Sequence, residues 1–195
     1  MKEVISRLID EHRNLEKLVD LLDRFPATRN HPRLDEISLL VDVFSYLTGF
    51  PDVRHHPVED RIVASLLARE ALPADIGDEI ARQHQVLARQ GADLMRDLES
   101  AARAETTSWP AAADSARLYA ERLRHNMAVE ELALFPVAER ILGDAELDRI
   151  ATWAGHTPAD PLFASQTEKR FADLRRVIAA DAGCDCFQNS TAASN

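Results

Sequence analysis

The sequence predicts an all-α fold, an antiparallel up-down four-helix bundle with additional helices at its C-terminal end. Three observations predict it. Apolar residues recur at spacings of three and four in four long stretches, the period of a helix with one buried face. Glycine is scarce, 6 residues in 195, while Ala, Leu, Arg and Glu are abundant, a balance that favours helices. No run alternates apolar and polar residues as a half-buried strand would.

The first stretch carries Val4, Ile5, Leu8, Ile9, Leu15, Leu18, Val19 and Leu22 on one stripe, so a helix is expected from Lys2 to about Arg24. "FPATRNHPR" ends it. The second pattern starts near Leu34, runs through Leu40, Phe44 and Leu47, is interrupted by Gly49, Pro51 and Pro57, and resumes with Ile62, Leu66 and Leu67 before Pro73. The third runs from about Asp75 to Ala104, with Asp75 and Asp78 favouring the positive end of its dipole. "ETTSWP" is a turn, and Pro110 suits the first turn of a fourth helix reaching about Leu142. Gly143 and Asp144 restart the chain as a short helix to Trp153, "GHTPADP" is a loop, and Pro161 to Ala180 forms a last amphipathic segment. These features divide the chain into a bundle with a short fifth helix over residues 1–155, a packing segment over 156–181 and a disordered tail over 182–195.

Composition excludes several functions. A net charge of -10 argues against a nucleic-acid partner, because phosphate binding needs a basic face. No stretch approaches the roughly 20 apolar residues of a membrane span. The N-terminus has no apolar core of a signal peptide, so a cytoplasmic location is expected. Cys184 and Cys186 are too few for a disulfide framework, and a polar tail gives them no role. Oligomeric state is not legible.

The histidines are the informative residues. His31 and His156 fall in loops. The others fall one per long helix, apart from the adjacent pair His55–His56. His12 lies on the stripe of Leu8, Leu15 and Val19. His55 lies on the stripe of Ile62 and Leu66, with Glu59 one turn on. His84 lies between Ile80 and Leu87, and His125 is flanked by Leu118, Val129 and Leu132. The plainer reading of any one is a core histidine satisfied by a neighbour. Taken together, with inward Glu59 and Glu130, they would cost much of a domain's roughly 5–15 kcal/mol of stability unless compensated. A metal centre removes the contradiction. Imidazole and carboxylate donors from facing helices suit two iron or manganese ions in a bundle core. Zinc would also accept them, though its structural sites are usually single-ion and richer in thiolate. His56 points about 100° from His55 and shares with Asp60 the relation that His55 shares with Glu59. His55 is the favoured ligand, with His56 held in reserve.

Several segments together resemble the hemerythrin-like proteins that carry the HHE cation-binding domain, in their bacterial His-His-Pro subgroup. They are "DEHRNL" around His12, "YLTGFPDVRHHPVED", "QHQVL" around His84, "RHNMAVEELALFPVAERIL" around His125, and "DPLF" at Asp160 to Phe163. The resemblance covers roughly residues 1–175. It implies a four-helix bundle holding two non-haem iron ions with an oxo or carboxylate bridge, and a small diatomic or peroxide ligand. The implied ligands are His12, His55, Glu59, His84, His125 and Glu130, with both glutamates bridging. His56, Asp60 and Glu131 are outer or alternative ligands. The implied function is binding or sensing of dioxygen or of reactive oxygen and nitrogen species. An enzyme that decomposes peroxide or nitric oxide on the same site is one alternative, and a metal-free helical interaction module is another.

The chain departs from that pattern twice. The oxygen carriers have a second histidine one turn away on the third helix, where this chain has Ile80 and Ala88. His56 is a candidate for that missing imidazole, and a more open iron favours reaction with small oxidants over carriage. On the fourth helix, His125 precedes Glu130 by five residues, about 140° on an ideal helix. A π-type turn within Arg124 to Glu131 would bring both inward with Glu131 outward. The alternative is a regular helix with Asn126 one turn before Glu130 and His125 turned away.

Overall fold

The computed structural model describes residues 1–24, 33–103, 109–153 and 160–181. Expectations for His31, His156, the two cysteines and the tail lie outside them. The described residues are mostly helical, with no strand among them. The elements are α1 (Glu3–Asp23), α2 (Leu34–Gly49), a π turn (Pro51–His55), α3 (His56–Leu67), α4 (Ala74–Ala102), α5 (Trp109–Val129), a second π turn (Glu130–Leu134), α6 (Phe135–Ile141), α7 (Asp144–Trp153) and, after a 3-10 turn (Lys169–Phe171), α8 (Ala172–Asp181).

The bundle has four members because α2 and α3 form one long helix through the first π turn, and α5 and α6 form another through the second. Gly49, Pro51 and Pro57 thus interrupt the regular α-helix, as the sequence suggested, without ending the long helix. Phe50 stays in the helical region of backbone space and its N–H reaches Tyr46 O at 2.8 Å. The long helices pack α1 on α5, α5 on α4 and α4 on α2 and α3. α7 lies against α1 and α3, and α8 against α1 and α2. The last segment is less helical than its periodicity suggested. Residues 160–168 form turns, with Asp160 Oδ1 accepting from Leu162 N and Phe163 N and its Oδ2 from Tyr46 Oη.

Both π turns have one cause. A proline in a helix has no N–H and its ring clashes with the carbonyl four residues back. Pro57 and Pro136 each follow their π turn after a single residue, opposite the carbonyls of Val53 and Leu132. Widening the turn by one residue relieves the clash. His56 N then bonds Pro51 O and Phe135 N bonds Glu130 O, five residues back in each case. The widened turns also push Val53 and Leu132 into solvent, 56% and 81% exposed.

The core is in two parts. One apolar cluster gathers Val4, Ile5, Leu8, Ile62, Ile80 and Leu134. The other gathers Leu15, Leu18, Leu47, Leu87, Leu123 and Tyr119. In α1 the residue between the clusters is His12; in the second helix it is the His55–Glu59 segment; in α4 it is Gln83–His84; in the fourth helix it is Asn126–Glu130. A polar layer thus crosses the middle of the bundle, with hydrocarbon above and below.

Candidate metal centre

His12, His55, His56 and His84 are 2%, 2%, 3% and 6% exposed, and Glu59 and Glu130 are fully buried. The widened turn ends at His55, and α3 is regular from there. On it, Glu59 sits about 40° from His55 and about 60° from His56, between the two. One carboxylate can therefore serve both imidazoles. Glu59 Oε1 lies 3.2 Å from His12 Nε2 and 3.1 Å from His55 Nε2, and its Oε2 lies 3.6 Å from His84 Nε2. Glu130 reaches across in the other sense, Oε1 at 2.8 Å from His84 Nε2 and Oε2 at 3.5 Å from His12 Nε2. Two groups of buried donors result: His12, His55 and Glu59 in one, and His56, Glu59 and His84 in the other, each with donor atoms within 4.8 Å of one another.

Each imidazole is held from behind. His12 Nδ1 is 2.9 Å from Glu131, His55 Nδ1 2.6 Å from Glu11 and His84 Nδ1 2.8 Å from Asp60. His56 Nδ1 lies 3.1 Å from Asp52 Oδ1, close enough for an ion pair but without hydrogen-bond alignment. His56 also stacks on His84, ring centres 4.3 Å apart. A carboxylate on one ring nitrogen fixes the tautomer and turns the other nitrogen inward as a donor, the outer arrangement of metal-bound histidine.

The charges are arranged around the two glutamates. Burial would lower the pKa of His12, but its hydrogen bond to Glu59 and the Glu59 charge raise it. Burial also opposes protonation of His55 and His84. The Glu59 charge and a hydrogen bond to Glu11 override it at His55, bonds to Asp60 and Glu130 override it at His84, and both are pushed up to about 10. At His56 burial wins, and its pKa is lowered. Glu59 is held well below the usual carboxylate range: burial opposes this, but the charges and hydrogen bonds of His55 and His12 prevail. Glu130 is raised, by burial first and then by the Glu59 charge.

This network does not close on itself. His56 Nε2, Glu59 Oε2 and Glu130 Oε2 are buried without a hydrogen-bond partner, and each such atom costs about 1–3 kcal/mol. All three belong to the inward donor set. The nitrogen and oxygen donors, their spacing and their unmet valences fit metal cations.

A family model, the hemerythrin HHE cation-binding domain, matches residues 3–138. The chain belongs to that family. Searches of curated proteins and of solved structures gave no match. The HHE match ends at Ala138, within α6, so it spans every helix that contributes a donor.

Within the HHE domain, one expectation about the site needs correction. His125 does not point inward. α5 stays regular through Val129 and the π turn begins only at Glu130, so nothing takes up the extra residue between His125 and Glu130. Asn126 faces in, 1% exposed, and donates to Glu130 Oε1 at 2.8 Å, while His125 is exposed. Leu118 and Leu132, which had marked His125 as inward, are 48% and 81% exposed. Of the two roles left open for His56, the inner one fits: it is buried in the donor set, so the inward imidazoles still number four. Asp60 and Glu131 stand outside, 48% and 44% exposed, each bracing a histidine. Sequence reasoning missed Glu11 and Asp52. Glu11 adjoins His12 but braces His55 across the helix pair, which no local spacing encodes. Asp52 precedes His56 by four residues, a signal that was available.

His56→Ala is expected to lower metal affinity as much as His84→Ala, by more than the ~10–100-fold typical of losing an outer-shell partner, whereas His125→Ala leaves it unchanged. Competition against a chromophoric chelator measures all three. Equal losses in His56→Ala and His125→Ala would reverse the assignment.

Proposed function

We infer that the protein holds two iron ions in this polar layer and uses them to bind a small diatomic molecule or a peroxide. The observation that carries the reading is the set of four inward Nε2 atoms, each backed by a carboxylate on Nδ1, around two buried glutamates with unpaired oxygens. His12 and His55 would hold one ion and His56 and His84 the other, with Glu59 and Glu130 shared between them. Iron is favoured over manganese by the family, and over zinc by a paired site without thiolate.

Bound ferrous iron would supply electrons to a small oxidant or attach it reversibly. The protein's own part is to hold the donors, keep bulk water out and balance charge. With two imidazoles per ion, the four-histidine set has one ligand fewer in total than a five-histidine set would. That extra open position supports reaction with small oxidants over carriage of oxygen. Sustained turnover with added reductant would mark the enzyme form of this reading; stoichiometric, reversible binding marks a sensor or store.

Metal analysis of the protein purified from iron-replete cells tests it directly, with two irons per chain expected. Protein that emerges without metal and takes up none under anaerobic ferrous iron would end the reading.

Binding also has a pH signature. Without metal, His55 and His84 keep their protons up to about 10, and a ligating imidazole must lose its inward proton. Loading at neutral pH should therefore release protons, and affinity should climb with pH until those groups have titrated near 10. Calorimetry in buffers of differing ionisation enthalpy measures the release. Binding heats that are independent of the buffer would contradict it.

A further inference from the structure

The polar layer continues beyond the donor set toward the surface. Asn126 donates through Nδ2 to Glu130 Oε1 at 2.8 Å and to Gln83 Oε1 at 3.2 Å. Gln83 donates through Nε2 to Glu79 Oε1 at 2.6 Å, and the Glu79 side chain is 36% exposed. Glu79, Gln83, Val86, Arg122 and His125 line a cavity of about 290 Å³ in the groove between α4 and α5. A run of hydrogen bonds therefore leads from an open groove to Glu130. Gln83 and Asn126 are 7% and 1% exposed, and Asn126 Oδ1 is buried without a partner. Two buried amides, one unsatisfied, are a costly way to fill a bundle core that leucine would fill better.

A second cavity, about 450 Å³ between α1 and α5, touches His12 and Glu131. It stops at the back of the ring. His12 Nδ1 is bonded to Glu131, Phe135 packs with its ring centre 5.3 Å from the imidazole, and Nε2 faces the other way, toward Glu59. Entry there would displace one of the donors themselves. On the α4–α5 side, Gln83 lines the groove and Asn126 stands between it and Glu130, and neither belongs to the inward donor set. The Gln83 side chain rotates about three single bonds, and its inner latch is one long hydrogen bond of 3.2 Å. Asn126 keeps its bond to Glu130 when that latch opens.

We propose that the α4–α5 groove is the port by which small polar oxidants such as peroxide reach the centre, with Gln83 as its gate. Asn126 is a positioning residue behind the gate: its Nδ2 fixes Glu130, and its free Oδ1 accepts a hydrogen bond from the arriving molecule. The exposed His125 marks the mouth of the port.

The port rests on the two-iron reading, and its test separates the two. Iron-loaded full-length protein is mixed in stopped flow with azide, a small anion that gives a visible band on ferric iron. Iron content and circular dichroism are checked for every variant. Gln83→Ala should raise the azide association rate by about tenfold, equivalent to about 1.4 kcal/mol off the entry barrier. Removal of iron by a small chelator should quicken in the same variant, a readout independent of turnover. Gln83→Ser serves if the alanine variant does not fold. Met127→Ala, which enlarges the other cavity, should leave both rates near wild type. The port is overturned if the Gln83 variants stay within about twofold of wild type, too small a change for a gate, or if Met127→Ala accelerates entry as much. Wild-type protein that holds no iron and gives no azide band would overturn the two-iron reading, and the port with it.

Discussion

Removing the two ions of the proposed centre is expected to lower the melting temperature by roughly 16–32 °C. An ion held at about a thousandfold above its dissociation constant adds about 4.1 kcal/mol to the folded state, so two add about 8. A chain of this size loses roughly 2–4 °C per kcal/mol. The effect is large here because the donors come from all four members of the bundle: His12 from α1, His55, His56 and Glu59 from the second helix, His84 from α4 and Glu130 from the fourth. Metal therefore fastens elements that are distant in sequence, and an unfolded chain cannot present them together. Scanning calorimetry of the loaded and chelator-treated protein measures the shift. Coincident transitions would mean that the polar layer is a purely structural network.

Glu59→Gln is expected to abolish binding of both proposed ions, because Glu59 is the one residue found in both donor groups. The substitution keeps the shape and removes the charge. It also acts on the metal-free fold. His12, His55 and His84 owe part of their protonation to that carboxylate, and breaking a buried ion pair costs about 3–5 kcal/mol. The expected result is a protein that holds no metal and whose metal-free form melts lower than metal-free wild type. Glu131→Gln is the comparison: its carboxylate is 44% exposed and braces His12 alone, so its loss should cost affinity about 10–100-fold without emptying the site. A Glu59→Gln protein that still held two ions would show that Glu59 is not shared.

Much of this was legible in the sequence because burial writes a period. The stripes of α1 and α4 fix His12 and His84 as inward to within a residue, and Glu59 follows from Ile62 and Leu66. Adjacent polar pairs carry no such signal. His55–His56 and His125–Asn126 each present two candidates about 100° apart, and the apolar neighbours decide between them only where those neighbours are buried. At His125 they are not, since Leu118 is half exposed and the widened turn turns Leu132 outward. At His55–His56 both face in, because Glu59 lies between them. The position of a π turn was readable from another signal, the proline that follows it by one residue, which places the turns at Pro51–His55 and Glu130–Leu134 rather than over His125. The carboxylates behind the rings are mostly cross-helix partners, and only the assembled bundle brings Glu11 to His55, Asp60 to His84 and Glu131 to His12.

The most direct test of the two-ion centre is anomalous scattering at the iron edge from crystals of the protein loaded anaerobically with ferrous iron. The account predicts two peaks in the polar layer, one beside His12 and His55 and the other beside His56 and His84, with Glu59 and Glu130 between them. An empty layer, or a lone peak in the groove beside His125, would contradict it.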